Sequence, residues 1–161
     1  MLDTFILWCY KAPLLAWFRN SKYAIPVLQS FHIMGLTAVL GVVCILSIRL
    51  LGLGFLSISL ATLWRELSRW FLAALSLTIL AGVIIAIIDP TRYLANTPFR
   101  IKMACLATAI LFHFTIFRKI VRKAPDAEFP RTTAGHAVLG CVSLLIWFSV
   151  GWGGRLIAFF N

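Results

Sequence analysis

The chain has 161 residues, 61% hydrophobic and 12% charged, with a formal net charge of +10 and a mean hydropathy of +0.96. Soluble domains carry about 45–50% apolar and about 25% charged residues, so a soluble fold of this size has too little interior to hide the apolar surface. The fifteen basic residues cluster at the ends of apolar runs, where they reach headgroup phosphates; that distribution argues for the lipid bilayer as partner and against nucleic acid.

In chain order, Met1-Leu2-Asp3 lacks a basic n-region, and Lys11 and Pro13 interrupt the apolar stretch behind it, so no signal peptide is expected. Residues 2–18 mix Leu, Phe, Ile and Trp with charges and predict an interfacial helix lying on the membrane. Four runs lack any charge: 23–48, 70–88, 103–117 and 132–154. A bilayer core needs about 20 helical residues, and with flanking residues these runs predict spans at about 23–49, 68–89, 98–120 and 131–155. Residues 55–69 read as a second surface helix on the opposite side. Asp89-Pro90 closes the second span, Thr97 caps the third with Pro98 in its first position, and Ala124-Pro125 and Phe129-Pro130 bracket the loop before the fourth. The alternating ten-residue segments of a barrel are missing. The expected fold class is all-α: one domain, 1–161, a four-helix transmembrane bundle with an N-terminal interfacial helix.

Four spans put both termini on one side. Seven basic residues fall on that side and eight on the other, and the dense cluster from Arg118 to Lys123 points the 118–131 loop to the cytoplasm and the termini to the periplasm. The cysteines, Cys9, Cys44, Cys105 and Cys141, form no CxxC or CxxCH; buried thiols acting as small apolar residues are expected.

Asp89 borders the second span at its very end and no span holds a buried Asp or Glu, which counts against a proton-coupled transporter. Three spans hold a histidine: His32, His113 and His136. Each is either a neutral imidazole bonded to a neighbouring helix or a ligand; three on three helices of one bundle favour a cofactor site, with imidazole as axial ligand of haem iron. Gly35 follows His32 by three residues, Gly140 follows His136 by four, and Ala109 precedes His113 by four. Small neighbours on one face leave room for a flat macrocycle, and equally allow close helix packing. Met34 and Met103, which a bare copper site would enlist, do not obviously converge with the histidines. His136 and His113 each lie five residues from a basic boundary residue, Arg131 and Arg118, roughly 8 Å deep, so depth favours them as the axial pair. Gln29, one turn from His32, is a candidate contact for a quinone headgroup. Arg49, Arg118 or Arg131 on one side, and Arg92 or Arg100 on the other, are candidates to neutralise haem propionates. Tyr23, Trp64, Trp70, Tyr93 and Trp152 read as interfacial belts.

Several stretches resemble an uncharacterised bacterial family of small four-helix integral membrane proteins: Ser30-Phe31-His32-Ile33-Met34-Gly35, Arg49-Leu50-Leu51-Gly52, Tyr93-Leu94-Ala95-Asn96-Thr97-Pro98-Phe99-Arg100-Ile101-Lys102, Phe112-His113, and the C-terminal motif Gly154-Arg155-Leu156-Ile157-Ala158-Phe159. The resemblance implies fold and membrane location, and its motif histidines fall on His32 and His113, a pairing that competes with the depth-based one. The family often has an aspartate where this chain has Ser47. A looser likeness is to four-helix b-type cytochromes such as those like cytochrome b561, by architecture and histidines alone.

The expected function is a haem-b electron-transfer subunit of a larger redox complex in a bacterial inner membrane, exchanging electrons with quinone. It is expected as an electron carrier or accessory subunit, with no catalytic triad or paired carboxylates in view. A cofactor-free accessory subunit and a copper-handling membrane protein are the alternatives.

Overall fold

A computed structural model describes residues 2–94, 96–123 and 133–159; the expected loop at 124–131 lies outside them. The chain is all-α, a bundle of four helices long and apolar enough to cross a membrane.

The N-terminal segment is two helices, α1 (Leu2–Lys11) and α2 (Pro13–Asn20). The expectation of one helix over 2–18 fails at Ala12, whose extended backbone (φ −68°, ψ 117°) precedes Pro13 at the start of α2, because a residue before proline is pushed out of the helical region. Arg19 fixes both helices to the bundle. Its guanidinium donates to the Ile88 carbonyl at 2.9 Å, to Tyr10 at 3.0 Å and to Cys9 at 3.4 Å. The Ile88 carbonyl is among those a helix end leaves without an intrahelical partner.

The first span is α3 (Ala24–Leu51). It stops at Gly52, whose φ of 75° is left-handed, and the Leu53 amide returns to the Ile48 carbonyl, a glycine C-cap. The second, α4 (Leu60–Ile88), starts eight residues earlier than predicted. The surface helix expected at 55–69 is instead a loop followed by the first turns of this span. Ser59 caps it by accepting from the Thr62 amide, nothing from Leu60 onward breaks it, and 29 residues reach about 43 Å. Arg65, Glu66 and Arg69 therefore sit on turns beyond a hydrocarbon core of about 30 Å.

After the short α5 (Pro90–Leu94), the third span is α6 (Thr97–Phe112), one π-helical turn (His113–Phe117), and α7 (Arg118–Lys123). Asn96, not Thr97, is the cap: its side chain accepts from the Phe99 amide at 3.2 Å, which shifts Pro98 one place inward. The fourth span is α8 (Ala134–Phe159).

The helices pack in the order α4, α3, α8, α6. Glycines set the close approaches. A Cβ on Gly35 would lie 3.0 Å from the Ala74 carbonyl of α4, and one on Gly140 would lie 3.2 Å from the Ser47 carbonyl and from Leu50 of α3. The ring does not close evenly. Among the described residues, the backbone of α4 approaches the third span only at α7. Between α4 and α6 the bundle is open along one side, towards the end where α1, α2 and α5 lie.

Candidate functional site

That seam leads into a cavity of about 530 Å³, within the roughly 300–1,000 Å³ of ordinary ligand pockets. Leu75, Ile79 and Val83 of α4 and Met103 and Leu106 of α6 form its walls, and Val39, Trp147 and Val150 reach it from α3 and α8. Val83 and Met103, one from each side of the seam, are 49% and 45% exposed. The polar lining is confined to Gln29, His32, Thr78, Arg92, Tyr93 and Lys102, with no carboxylate.

His32 is held in one orientation. Its Nδ1 is 2.8 Å from the Thr78 carbonyl. A carbonyl only accepts, so Nδ1 carries the proton in the neutral ring, and the lone pair belongs to Nε2. Nε2 is 3.4 Å from Lys102 Nζ, whose ammonium has only donors. Both partners depend on missing side chains. A Cβ on Gly82 would come within 3.0 Å of the imidazole Cε1. Lys102 lies across Gly153 and Gly154, where added Cβ atoms would meet its Cβ at 3.2 Å and its Nζ at 3.3 Å. Lys102, expected to snorkel from the first turn of its helix, thus turns inward over a glycine pair.

At the mouth, Tyr93 packs against Phe99 (ring centroids 5.6 Å apart) and Arg92 stands 6.0 Å from its ring. Burial raises the Tyr93 phenol above its ordinary pKa; Arg92 partly opposes this and Asp89 adds to it.

The other two histidines are elsewhere. His113 is fully buried at the start of the π turn. Its ring is stacked between Phe71 (4.0 Å, 18°) and Phe117 (4.9 Å, 14°), with Trp64 and Trp147 at its sides. His136 is in the first turn of α8, where its amide donates to Thr133 Oγ1. Neither lines the cavity, and no ring contact joins His113 to another histidine among the described residues.

Register explains the separation, on which both expected pairings turn. Lys102 meets His32 and lies beside Gly153 and Gly154, so His113, eleven residues along α6, is about 16 Å from His32 along the axis. Running antiparallel, α8 brings Ser143 to the level of His113, and His136 is a further seven residues, about 10 Å, towards its start. The depth argument took Arg118 as the boundary of the third span, but the helix continues to Lys123. Two imidazoles on one iron do not fit any of these pairs. Gly35 and Gly140 are helix contacts, not open floor, and Ala109 is sealed in the core at 0% exposure. No group of three or more His, Cys, Asp or Glu side chains is placed to hold a metal among the described residues.

A family model described as DUF6644, a family of unknown function, matches residues 18–160. The chain belongs to that family. No curated protein matches the chain, and no solved structure does. Within this DUF6644 chain, the match takes in all four spans and every polar residue of the cavity, and leaves out α1 and most of α2.

Of these polar residues, sequence reasoning named His32, Gln29 and Arg92 for ligand roles and read Tyr93 as belt. It missed Lys102 and Gly82 as parts of the site, and the carbonyl of Thr78 as the anchor of His32. The available signal was a lysine beside the apolar stretch of the third span, six residues after the Asn96 cap.

Proposed function

We propose that this chain is the membrane-embedded subunit of a larger redox assembly, and that its lateral cavity takes the ring of a lipid-soluble quinone from the bilayer. The carrying observation is the His32–Lys102 pair, an acceptor nitrogen and a donor ammonium 3.4 Å apart on an otherwise apolar wall. A quinone oxygen accepts from Lys102 Nζ; after reduction, the quinol hydroxyl donates to His32 Nε2. One pair therefore serves both redox forms, while apolar walls receive the ring and the first units of its tail. The open seam supports entry from hydrocarbon, where such a ligand is dissolved. The reduction takes two electrons, which come from a partner subunit, and two protons, which come from the aqueous phase; this chain's residues bind and orient the ring.

In this reading the assembly lies in a bacterial cytoplasmic membrane, with the Arg118–Lys123 turn cytoplasmic and the termini periplasmic; the basic cluster there supports the orientation. The test is photolabelling with an azidoquinone in proteoliposomes, mapped by mass spectrometry. Label is expected on the α4 and α6 walls, falling in His32→Ala and Lys102→Met. Label spread over lipid-facing residues and unchanged in both variants would refute the reading.

A second reading has haem b in the same cavity with His32 as its one histidine ligand. A ligating histidine ordinarily donates its other ring nitrogen to a carbonyl or carboxylate, as His32 does to Thr78, and Arg92 lies at the mouth for a propionate. A pyridine haemochrome signal from purified protein, lost in His32→Ala and kept in His113→Ala, would put this reading first. Failure of both tests leaves a cofactor-free accessory subunit.

A further inference from the structure

Beyond the inner end of the cavity, from the Trp147 wall onward, the bundle contains polar atoms with nothing to bond. Ser47 Oγ, Arg49 Nη2, both ring nitrogens of His113, Ser143 Oγ and Trp147 Nε1 have no hydrogen-bond partner. All five residues are 3% exposed or less.

These residues are not scattered. Gly140 of α8 abuts Leu50 and the Ser47 carbonyl, and Gly151 abuts Leu40, so the antiparallel register sets Ser143 across from Ser47. The register between Lys102 and the Gly153–Gly154 pair sets His113 at that same level. Three polar side chains from three helices thus share one cross-section. Arg49 stands next to it on one side, with its Nε already on the Ile58 carbonyl at 2.9 Å. Trp147 stands one turn away on the other and belongs to the cavity wall.

Buried polar atoms are almost always hydrogen-bonded, and hydrocarbon offers them no alternative. A dry layer would leave six such atoms unmatched in one slab, each at a cost of about 1–3 kcal/mol. Serine oxygens accept and donate, imidazole does both, and indole and guanidinium donate. Water is the small ligand that complements this mixture, making two to four hydrogen bonds per buried molecule.

We propose that Ser47, His113 and Ser143 hold a cluster of ordered waters inside the bundle, with Arg49 and Trp147 as its two ends. The site is independent of what occupies the cavity. It accounts for a histidine whose ring faces are covered by phenyl groups while its edges carry two unmatched nitrogens. It also gives the π turn a consequence: the turn's first residue is the one that presents those edges to the layer.

The test uses the full chain in lipid bilayers and water-edited solid-state NMR. Polarisation from water is expected to reach the His113 ring and Trp147 Nε1–H at short mixing times, as it does for the Arg69 side chain, which is 73% exposed on the turns beyond the hydrocarbon core. The Trp147 signal is assigned by its loss in Trp147→Phe. Absence of transfer to both residues would overturn the proposal. His113→Phe gives an independent sign. In a hydrated layer it strands Ser47 and Ser143, and the Tm is expected to fall by about 3 °C or more. In a dry layer it removes two unmatched nitrogens and completes a stack of three phenyl rings, so a rise in Tm would also overturn the proposal.

Discussion

Lys102 Nζ stands 3.4 Å from His32 Nε2, although seventy residues separate the two in sequence. The contact joins the first span to the third, two helices that make no backbone approach of their own. It is a polar bridge across the cavity, between two helices on opposite corners of the bundle. Lys102→Met keeps the length and removes the donor. Quinone photolabelling is expected to fall at least tenfold, equivalent to about 1.4 kcal/mol, while the unfolding midpoint stays near that of the parent chain. A loss of folding in Lys102→Met would show that the bridge serves structure first.

Gly82 and Gly41 make a matched pair. A Cβ on Gly82 would press on His32 Cε1 at 3.0 Å and Nδ1 at 3.2 Å, whereas one on Gly41 meets nothing within 4 Å. Gly82→Ala is expected to cost about 1–3 kcal/mol and to abolish labelling by displacing the ring from the Thr78 carbonyl. Gly41→Ala is expected to be neutral or to stabilise by up to about 1 kcal/mol. Unfolding in detergent, with labelling in parallel, checks both.

Arg19→Ala removes the clip that carries α1 and α2 to the end of α4. Hydrogen exchange in residues 4–20 is expected to rise, with the four spans unchanged. If the N-terminal helices keep their protection, their apolar contacts hold them and the Ile88 carbonyl is not the anchor.

Tyr93 gives a pH dependence with a definite sign. Its phenol is raised in the folded chain, mainly by burial, so the fold favours the neutral form. The stability it contributes is complete below the ordinary tyrosine value of about 10 and is lost as pH climbs through the raised value. Tyr93→Phe is expected to flatten the fall in Tm above pH 10 relative to the parent chain. Equal slopes for the two chains would contradict this.

Topology is checked by labelling single cysteines placed at 3, 95 and 126 in a cysteine-free background. Positions 3 and 126 are expected to react from opposite sides. Reaction from one side would mean that one of the four helices does not cross.

The spans were legible because charge is nearly absent from them, and bilayer cost makes that absence a strong signal. The start of α4 was not, because Arg65, Glu66 and Arg69 look like an interface when they ride on turns that protrude beyond it. The site was half legible. His32 stood out as an ionisable group at membrane depth. Its partner did not, since Lys102 looks like any snorkelling lysine until Gly153 and Gly154 are known to lie beneath it. Pairing the histidines required the register between helices, and spacing within one helix carries no information on that.

For the proposed quinone, the open side between α4 and α6 changes what affinity means. In a membrane the cavity is never competing with water for its ligand; acyl chains from the surrounding leaflet occupy whatever the ligand vacates. Binding is then an exchange of one hydrocarbon-soluble molecule for another. Burying the tail gains little, because the lipid it displaces was as apolar, and discrimination falls to the two nitrogens of His32 and Lys102. Dissociation constants for such a site belong on a scale of mole fraction in the bilayer, and values taken in detergent will shift with the detergent chosen.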